Sequence, residues 1–256
     1  MITFPNAKIN LGLRILQKRP DGFHNIETIF YPVELSDVLE IIPAKDGELS
    51  FASTGLFIPG DPEQNLCLNA FHLLSSHFHL TPVKIHLHKA IPIGAGLGGG
   101  SSDGASTIKL LNDLFKIGLT EDQMMDHARN LGSDCAFFIR NKPVFAFEKG
   151  DRFEFLDLDL STYRIELVTP AIHVNTREAY AMADKNLEPG DSGIELKEII
   201  RLPIEEWKNL LFNDFEKPVF RKYPELQKIK QDLYDRGALY ASLSGSGSSL
   251  YGIFPH

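Results

Sequence analysis

With 256 residues, 43% of them hydrophobic and 23% charged, the chain has ordinary globular proportions and enough apolar material for a sizeable core, as one large domain or two packed lobes. A formal net charge of −8, without any clustered basic run, excludes the electrostatic footprint of a nucleic-acid binder. Two cysteines, Cys67 and Cys135, lie far apart and share no metal-type spacing with histidines, which argues against a disulfide scaffold. No stretch approaches the roughly 18 apolar residues that span a bilayer. The opening MITFPNAKINLGLRI lacks a basic-then-apolar leader, so a cytoplasmic protein is expected, with no nucleic-acid or membrane partner.

Residues 2–15 read as strand, and R-P-D-G-F-H-N (19–25), with Pro, Asp and Gly, reads as loop. Ile26–Phe30 and Val38–Ile42 are further strands, which makes the first ninety residues β-rich. One helix interrupts them: Asn65 is placed to cap a segment whose Leu66, Ala70, Leu73, Leu74 and Phe78 recur at helical spacing. Val83, Ile85 and Leu87 alternate with Lys84, His86 and His88, the pattern of a half-buried strand. After a glycine-rich stretch, S-T-I-K-L-L-N-D-L-F predicts a helix, and Thr120 is the expected cap of a second over 120–130. Leu131–Ile139 continues beyond Gly132, and Pro143–Phe147 and Tyr163–Val168 return to strand. Helices are predicted over 176–184, 195–200, 204–212 and 225–236. The one shift in composition, near 150–160, suggests a soft boundary between residues 1–155 and 156–256.

Five of the seven residues from Gly94 to Gly100 are glycine, and two serines and an aspartate follow before the helical pattern starts. Glycine costs backbone entropy, so such a cluster at a helix mouth needs a reason. Anion binding supplies one, because glycines let N–H groups converge while the helix N-terminus adds unsatisfied donors and partial positive charge. The hydroxyls of Ser101 and Ser102 can add donors. The loop has no Gly-Lys-Ser/Thr and is therefore not a Walker A loop. A dinucleotide-binding turn would come early in a βαβ unit and have an acidic residue about 20 positions on; here ninety β-rich residues precede it and Lys116 stands at that distance.

The string from Pro92 to Ser102 resembles the nucleotide loop of the GHMP kinases, P-x-x-x-G-L-G-S/G-S/G-S/A. An N-terminal lysine-bearing strand, P-N-A-K-I-N-L-G-L, and a late glycine-rich segment, S-L-S-G-S-G-S-S-L-Y-G-I-F (242–254), match the family in order and rough distance. The resemblance implies a two-lobed α+β fold. Residues 1–155 would form a ribosomal-protein-S5-like N-terminal lobe that binds ATP, and 156–256 a ferredoxin-like, helix-rich C-terminal lobe. It also implies a kinase using Mg-ATP, with the nucleotide phosphates held by Pro92, Ile93, Gly94, Ala95, Gly96, Leu97, Gly98, Gly99, Gly100, Ser101 and Ser102.

Within the family, A-K-I-N-L, R-P-D-G-F-H-N, L-G-S-D-C and N-D-F-E are similar to the branch that phosphorylates the 2-hydroxyl of a methylerythritol carried on cytidine diphosphate. That resemblance covers Pro5 to Phe254. It assigns Asp134 as the base that takes the hydroxyl proton and Lys8 as the cation on the transferring phosphoryl group. Phe23 would stack on cytosine and His24 would read its edge. Thr176 and Tyr180 would form the opposite wall, where the family usually has phenylalanine, and Asn10 would bond the erythritol or phosphate part. Asn65 and Lys89 take positions used near adenine.

Three histidines, His72, His77 and His79, do not converge, so no metal site is expected. Trp207 and Cys135 read as packing residues. Alanine and proline commonly flank the aspartate in the family, where this chain has G-S-D-C-A; the family also continues past the late glycine segment with a helix and a closing strand, where this sequence ends at His256. The rival assignments are a homoserine- or mevalonate-type kinase and a non-catalytic nucleotide-binding regulator. A monomer or weak homodimer is expected.

Overall fold

The chain begins with a two-residue strand, β1 (Ile2–Thr3), and then a long one, β2 (Asn6–Lys18), whose residues 7–13 are buried on both faces. That double burial explains why its sequence shows a run of small and aliphatic residues and no clean alternation. The D-G-F-H turn leads to β3 (His24–Ser36), followed by β4 (Val38–Pro43) and β5 (Ser50–Gly55). The computed structural model describes residues 1–184 and 193–256. The next elements are α1 (Leu66–Ser75), β6 (Val83–Lys89), α2 (Gly99–Leu114), α3 (Glu121–Arg129) and α4 (Cys135–Arg140). Then come β7 (Val144–Phe147), β8 (Arg152–Phe155), β9 (Tyr163–Val168), α5 (Thr176–Asp184), α6 (Leu196–Ile199) and α7 (Ile204–Leu210). The chain closes with α8 (Glu216–Lys222), α9 (Pro224–Asp235), β10 (Tyr240–Leu243) and β11 (Leu250–Pro255). The fold is α+β.

Local signals held where they were local. Asn65 caps α1 by accepting from the Cys67 amide at 2.9 Å. Thr120 caps α3 in a reciprocal box, its hydroxyl accepting from Gln123 N while the Gln123 side chain accepts from Thr120 N. In β6, Val83, Ile85 and Leu87 are buried and the residues between them exposed, as their alternation predicts. The helix after the glycine stretch starts earlier than expected, at Gly99, so Gly100, Ser101 and Ser102 form its first turn. Glycine and serine are weak helix formers; burial of Gly99, Ser102 and Asp103 on this face overrides that preference. Several elements went unread, β8, β10 and β11 among them. β5 is almost wholly exposed, and α8 carries a proline in its first turn, so neither showed a readable pattern.

The chain divides into two compact units that interleave in sequence, where the composition shift suggested one boundary near 155. The first comprises residues 1–7, 32–93 and 98–142, the second 8–31, 94–97 and 143–256. In the first, the sheet order is β1-β4-β6-β5, with β5 parallel to β6 and the other pairs antiparallel. Helices α1 to α4 belong to the same unit, and Leu39, Ile41, Phe71, Leu74, Ile108 and Phe137 are among its buried residues.

The second unit holds the sheet β2-β3-β7-β8, apart from the ends of β2 and β3, and the antiparallel sheet β10-β11-β9. Its core gathers Leu13, Ile15, Phe215, Val219, Leu226 and Leu243, so β2 packs with α8, α9 and the late sheet. Trp207 is 1% exposed and donates its ring N–H to Leu202 O, which makes it a packing residue as expected. Among the described residues no helix is long and apolar enough to cross a membrane.

Candidate active site

The glycine loop is built by left-handed backbone. Gly94, Gly96 and Gly98 have φ of 66°, 80° and 70°, a region that residues with a Cβ enter only at a cost. Gly96 is further constrained by the late glycine segment: a Cβ there would stand 1.9 Å from Ser244 O. Ser244 donates its hydroxyl to Gly96 O at 2.8 Å, and Ser249 N donates to Ala95 O at 3.1 Å. The two glycine-rich segments therefore lie backbone against backbone.

Gly98 is the N-cap of α2 and offers no side-chain cap. The N–H groups of Gly99, Gly100 and Ser101 precede the first intrahelical donor, Ser102 N, which bonds Gly98 O at 2.9 Å. A 16-residue helix that leaves its first donors to something other than a side chain fits a phosphate at its mouth. Of the two serines, Ser102 is 1% exposed, so only the half-buried Ser101 is open enough to help.

Lys8, on β2, is 4% exposed. Its ammonium donates to Asn10 Oδ1 at 2.6 Å and to Gly96 O at 3.2 Å, and lies 4.7 Å from the centre of the Phe30 ring. Asn10, 2% exposed, also donates to the Thr28 hydroxyl, and its backbone N and O are bonded by Ser244 and Tyr251. Asn10 is thus the orienting partner of Lys8, an arrangement their i, i+2 spacing on one strand face allows.

In the first unit, Asp134 is the half-buried N-cap residue of α4 and accepts from the Ser133 hydroxyl at 3.2 Å. Its neighbour Cys135 is buried beside Ser101 of α2, so Asp134 stands next in sequence to a residue near the first turn of the glycine-loop helix. Burial pushes the Cys135 thiol up to about 12; the Ser101 hydroxyl opposes this and Asp134 adds to it. Such a thiol is not a nucleophile at neutral pH.

Asn65 lines a cavity of about 300 Å³ in the first unit, with Phe51, Ser53, Ile58, Pro59 and Asp61. Lys89, assigned with it to the adenine side, is 3% exposed, and its ammonium is bonded by Asp37 and, at 2.8 Å, by Asp103. Asp37 also accepts from the amides of Ala90 and Ile91 at 2.6 and 2.8 Å. The cluster of Asp37, Lys89 and Asp103 thus pins the chain just before and just after the glycine loop. Burial raises the Asp103 carboxyl to about 8, with Lys89 opposing and Asp37 adding to the shift. Sequence reasoning missed Asp37 and Asp103, because nothing local announces a buried ion pair.

A second cavity, of about 480 Å³, belongs wholly to the second unit and is lined by Phe23, His24, Thr176 and Tyr180. The turn before it is folded by Asp21, whose carboxylate accepts from Phe23 N at 3.1 Å, and by Gly22 at φ 86°. Phe23 is left 60% exposed, with Lys149 Nζ 5.4 Å from its ring centre. His24 is buried and stacks on Tyr180, their rings 4.6 Å apart and 9° from parallel. The sequence reading put Tyr180 on the wall across from Phe23; the ring that it faces is His24, and its edge contact is Phe215. Thr176, the first residue of α5, has its hydroxyl 3.1 Å from that of Ser246 in the late glycine segment. Lys18, Lys149 and Arg177 also line the cavity and were not foreseen, since basic residues in unrelated segments carry no shared signal. An exposed aromatic face, a buried stacked pair and a cationic rim suit a flat base bearing negative charge.

The first unit thus holds an anion cradle at a helix mouth with an aspartate at a neighbouring helix start, and the second an oriented lysine, the residue types that a phosphotransferase uses. The comparisons with known proteins give the class. Residues 65–142 match the family described as GHMP kinases N terminal domain, and 196–256 the GHMP kinases C terminal domain. The chain belongs to the GHMP kinases. It is 54% identical over 256 residues to the 4-diphosphocytidyl-2-C-methyl-D-erythritol kinase of Bacteroides thetaiotaomicron, covering 99% of this chain and 92% of that protein. It is 53% identical over 255 residues to the Cytophaga hutchinsonii protein of the same name, with the same coverage. A crystal structure of 4-(cytidine 5'-diphospho)-2C-methyl-D-erythritol kinase superposes with a TM-score of 0.79 at 29% identity, over 99% of this chain and 90% of that one.

Proposed function

We propose that the protein transfers the γ-phosphoryl group of ATP to the 2-hydroxyl of 4-diphosphocytidyl-2-C-methyl-D-erythritol, giving the 2-phosphate and ADP in non-mevalonate isoprenoid precursor synthesis. The observation that carries this is full-length identity of 54% to a kinase of that name. GHMP kinases take ATP as phosphate donor, and the acceptor is a small molecule.

Phosphoryl transfer needs alignment, neutralisation of charge and a destination for the hydroxyl proton. In this reading the amides of Gly99, Gly100 and Ser101 hold the triphosphate, and Asn65 contributes to the adenine side. Lys8 balances charge on the transferring group, its ammonium oriented by the oxygens of Asn10 and Gly96. Asp134 accepts the hydroxyl proton. Mg²⁺ arrives with the nucleotide as Mg-ATP and supplies further neutralisation of the phosphates. Phe23 stacks on cytosine, His24 and Tyr180 bound the other side, and Thr176 closes the wall. Lys89 serves the site through the buried cluster that pins the loop.

The decisive experiment is a panel of acceptors with radiolabelled ATP. Label on the cytidyl substrate and on neither mevalonate nor homoserine is expected, and the reverse outcome rejects the assignment. Asp134→Asn is expected to lower kcat by about 10²–10⁴-fold while nucleotide binding persists. Retention of both would turn the reading towards a nucleotide-binding regulator. The enzyme is further proposed to act in the cytoplasm as a monomer or weak homodimer without nucleic-acid or membrane partners, a state that light scattering on the purified chain measures.

A further inference from the structure

The motif Asn213–Glu216, N-D-F-E, takes no part in the chemistry above, yet every polar side chain in it is committed. We propose that Asn213 and Glu216 are positioning residues for the Lys8 ammonium, acting through the late glycine segment; the inference rests on the phosphoryl-transfer reading.

One end of the motif grips β2. Leu13 N donates to Phe212 O, and Asp214 N donates to Leu13 O, both at 2.9 Å. The Asp214 carboxylate accepts from Ile15 N at 2.8 Å. This short parallel pairing at Leu13 and Asn213 fixes β2 three residues beyond Asn10. The other end grips the late glycine segment. Asn213, 3% exposed, donates its amide to Leu243 O at 2.8 Å and to Gly245 O at 2.9 Å, while its oxygen accepts from Phe215 N at 3.0 Å. Both amide hydrogens are spent on two carbonyls that flank Ser244. Glu216 accepts from the Ser242 hydroxyl at 2.9 Å, from Leu243 N at 3.0 Å and from Lys230 at 2.6 Å.

The residue held between these grips is the one that touches the lysine's acceptors. Ser244 donates to Gly96 O and accepts from Asn10 N, and a Cβ on Gly245 would stand 3.3 Å from Asn10 Oδ1. Lys8 donates to both Asn10 Oδ1 and Gly96 O. A closed circuit results: from Lys8 and Asn10 along β2 to Leu13, through Asn213 and Glu216 to Leu243 and Gly245, and back through Ser244. Slack anywhere in it moves these two acceptors of the ammonium together. Asparagine suits the task because it grips two carbonyls at once from a buried site, which an aspartate would repel.

The test uses the full chain, with steady-state kinetics for ATP and acceptor, thermal melting to measure the folded fraction, and nucleotide affinity. Asn213→Asp is expected to lower kcat per folded molecule about tenfold or more, with KM for ATP moving less than about threefold, since misplacing a reacting group by about 1 Å costs on the order of 10²-fold. Glu216→Gln keeps an oxygen for Ser242 and Leu243 N and is expected to retain the wild-type kcat, whereas Glu216→Ala follows Asn213→Asp. Should Asn213→Asp not fold, Asn213→Ser, which releases the carbonyls without placing a charge on them, is measured in its place and judged the same way. A folded Asn213 or Glu216→Ala variant with kcat within about twofold of wild type, or a loss that only tracks the folded fraction, overturns the positioning role. A wild-type chain that phosphorylates no acceptor sinks the phosphoryl-transfer reading itself, so the two failures are distinguishable.

Discussion

Replacing Gly96 with alanine perturbs the contact between the two glycine-rich segments. The residue has φ +80°, and a Cβ there would lie 1.9 Å from Ser244 O and 2.9 Å from its carbonyl carbon. Holding alanine in left-handed backbone costs about 1–2 kcal/mol. The overlap with a backbone oxygen must also be relieved, and no side chain can rotate to do so. The segment has to retreat, which removes the neutral hydrogen bond from Ser244 and the charged one from Lys8, both to Gly96 O. At about 0.5–1.5 kcal/mol for the first and about 1.5–3 for the second, the total is about 3–6.5 kcal/mol. Gly100, four residues on in the same motif, is the control. Its Cβ would meet nothing nearer than Leu66 Cδ1 at 4.0 Å, inside α2, so alanine there should stabilise the fold by about 0.5–1 kcal/mol. Urea unfolding of both variants and wild type, followed by circular dichroism, compares them directly. Gly100→Ala should also raise KM for ATP, because its methyl group projects where a phosphate would approach the helix mouth. A Gly96→Ala protein within about 1 kcal/mol of wild type would refute the reasoning.

Asp103→Asn tests the buried cluster through pH. The carboxyl ionises near 3.8 in the unfolded chain and at about 8 when folded, so its contribution to stability is fully present below about pH 4 and is lost as pH rises, by up to about 1.4 kcal/mol per unit, until about pH 8. The stability advantage of Asp103→Asn over wild type should widen across that window and then level; parallel curves would exclude a raised carboxyl. Phe23→Ala, at an exposed ring, should leave the melting temperature unchanged and raise KM for the cytidyl acceptor roughly 5- to 150-fold, the equivalent of about 1–3 kcal/mol of stacking per base. An equal rise in KM for ATP would place Phe23 elsewhere in the site.

What the sequence made legible follows the range of the forces involved. Caps at Asn65 and Thr120 bond atoms two or three residues away, and the alternation in β6 reports one buried face, so both could be read from a short window. The glycine loop was legible for a similar reason, since positive φ at Gly94, Gly96 and Gly98 demands a residue type. Lys8, Asn10 and Asp134 came through resemblance alone, because nothing within a few residues distinguishes them from other polar positions. Contacts between distant segments stayed hidden. The stack of His24 on Tyr180 joins residues far apart in the chain, and the ion cluster joins the start of β4, the end of β6 and the first turns of α2. The early start of α2 was missed because propensity is a local quantity and burial is not.

The two buried lysines show how environment separates residues that sequence treats alike. Both lie on strands, both are within five percentage points of complete burial, and both flank glycine-loop residues. Burying an ammonium is costly unless its surroundings compensate. Around Lys89 the compensation is ionic: the Asp37 carboxylate balances its charge while Asp103, its carboxyl held largely protonated, bonds alongside. Around Lys8 an amide oxygen, a carbonyl and the face of Phe30 stabilise the cation while bringing no opposing charge of their own. The identity of the acceptors, and not burial, is thus what tells the two apart: carboxyl groups around Lys89, an amide oxygen and a carbonyl beside Lys8.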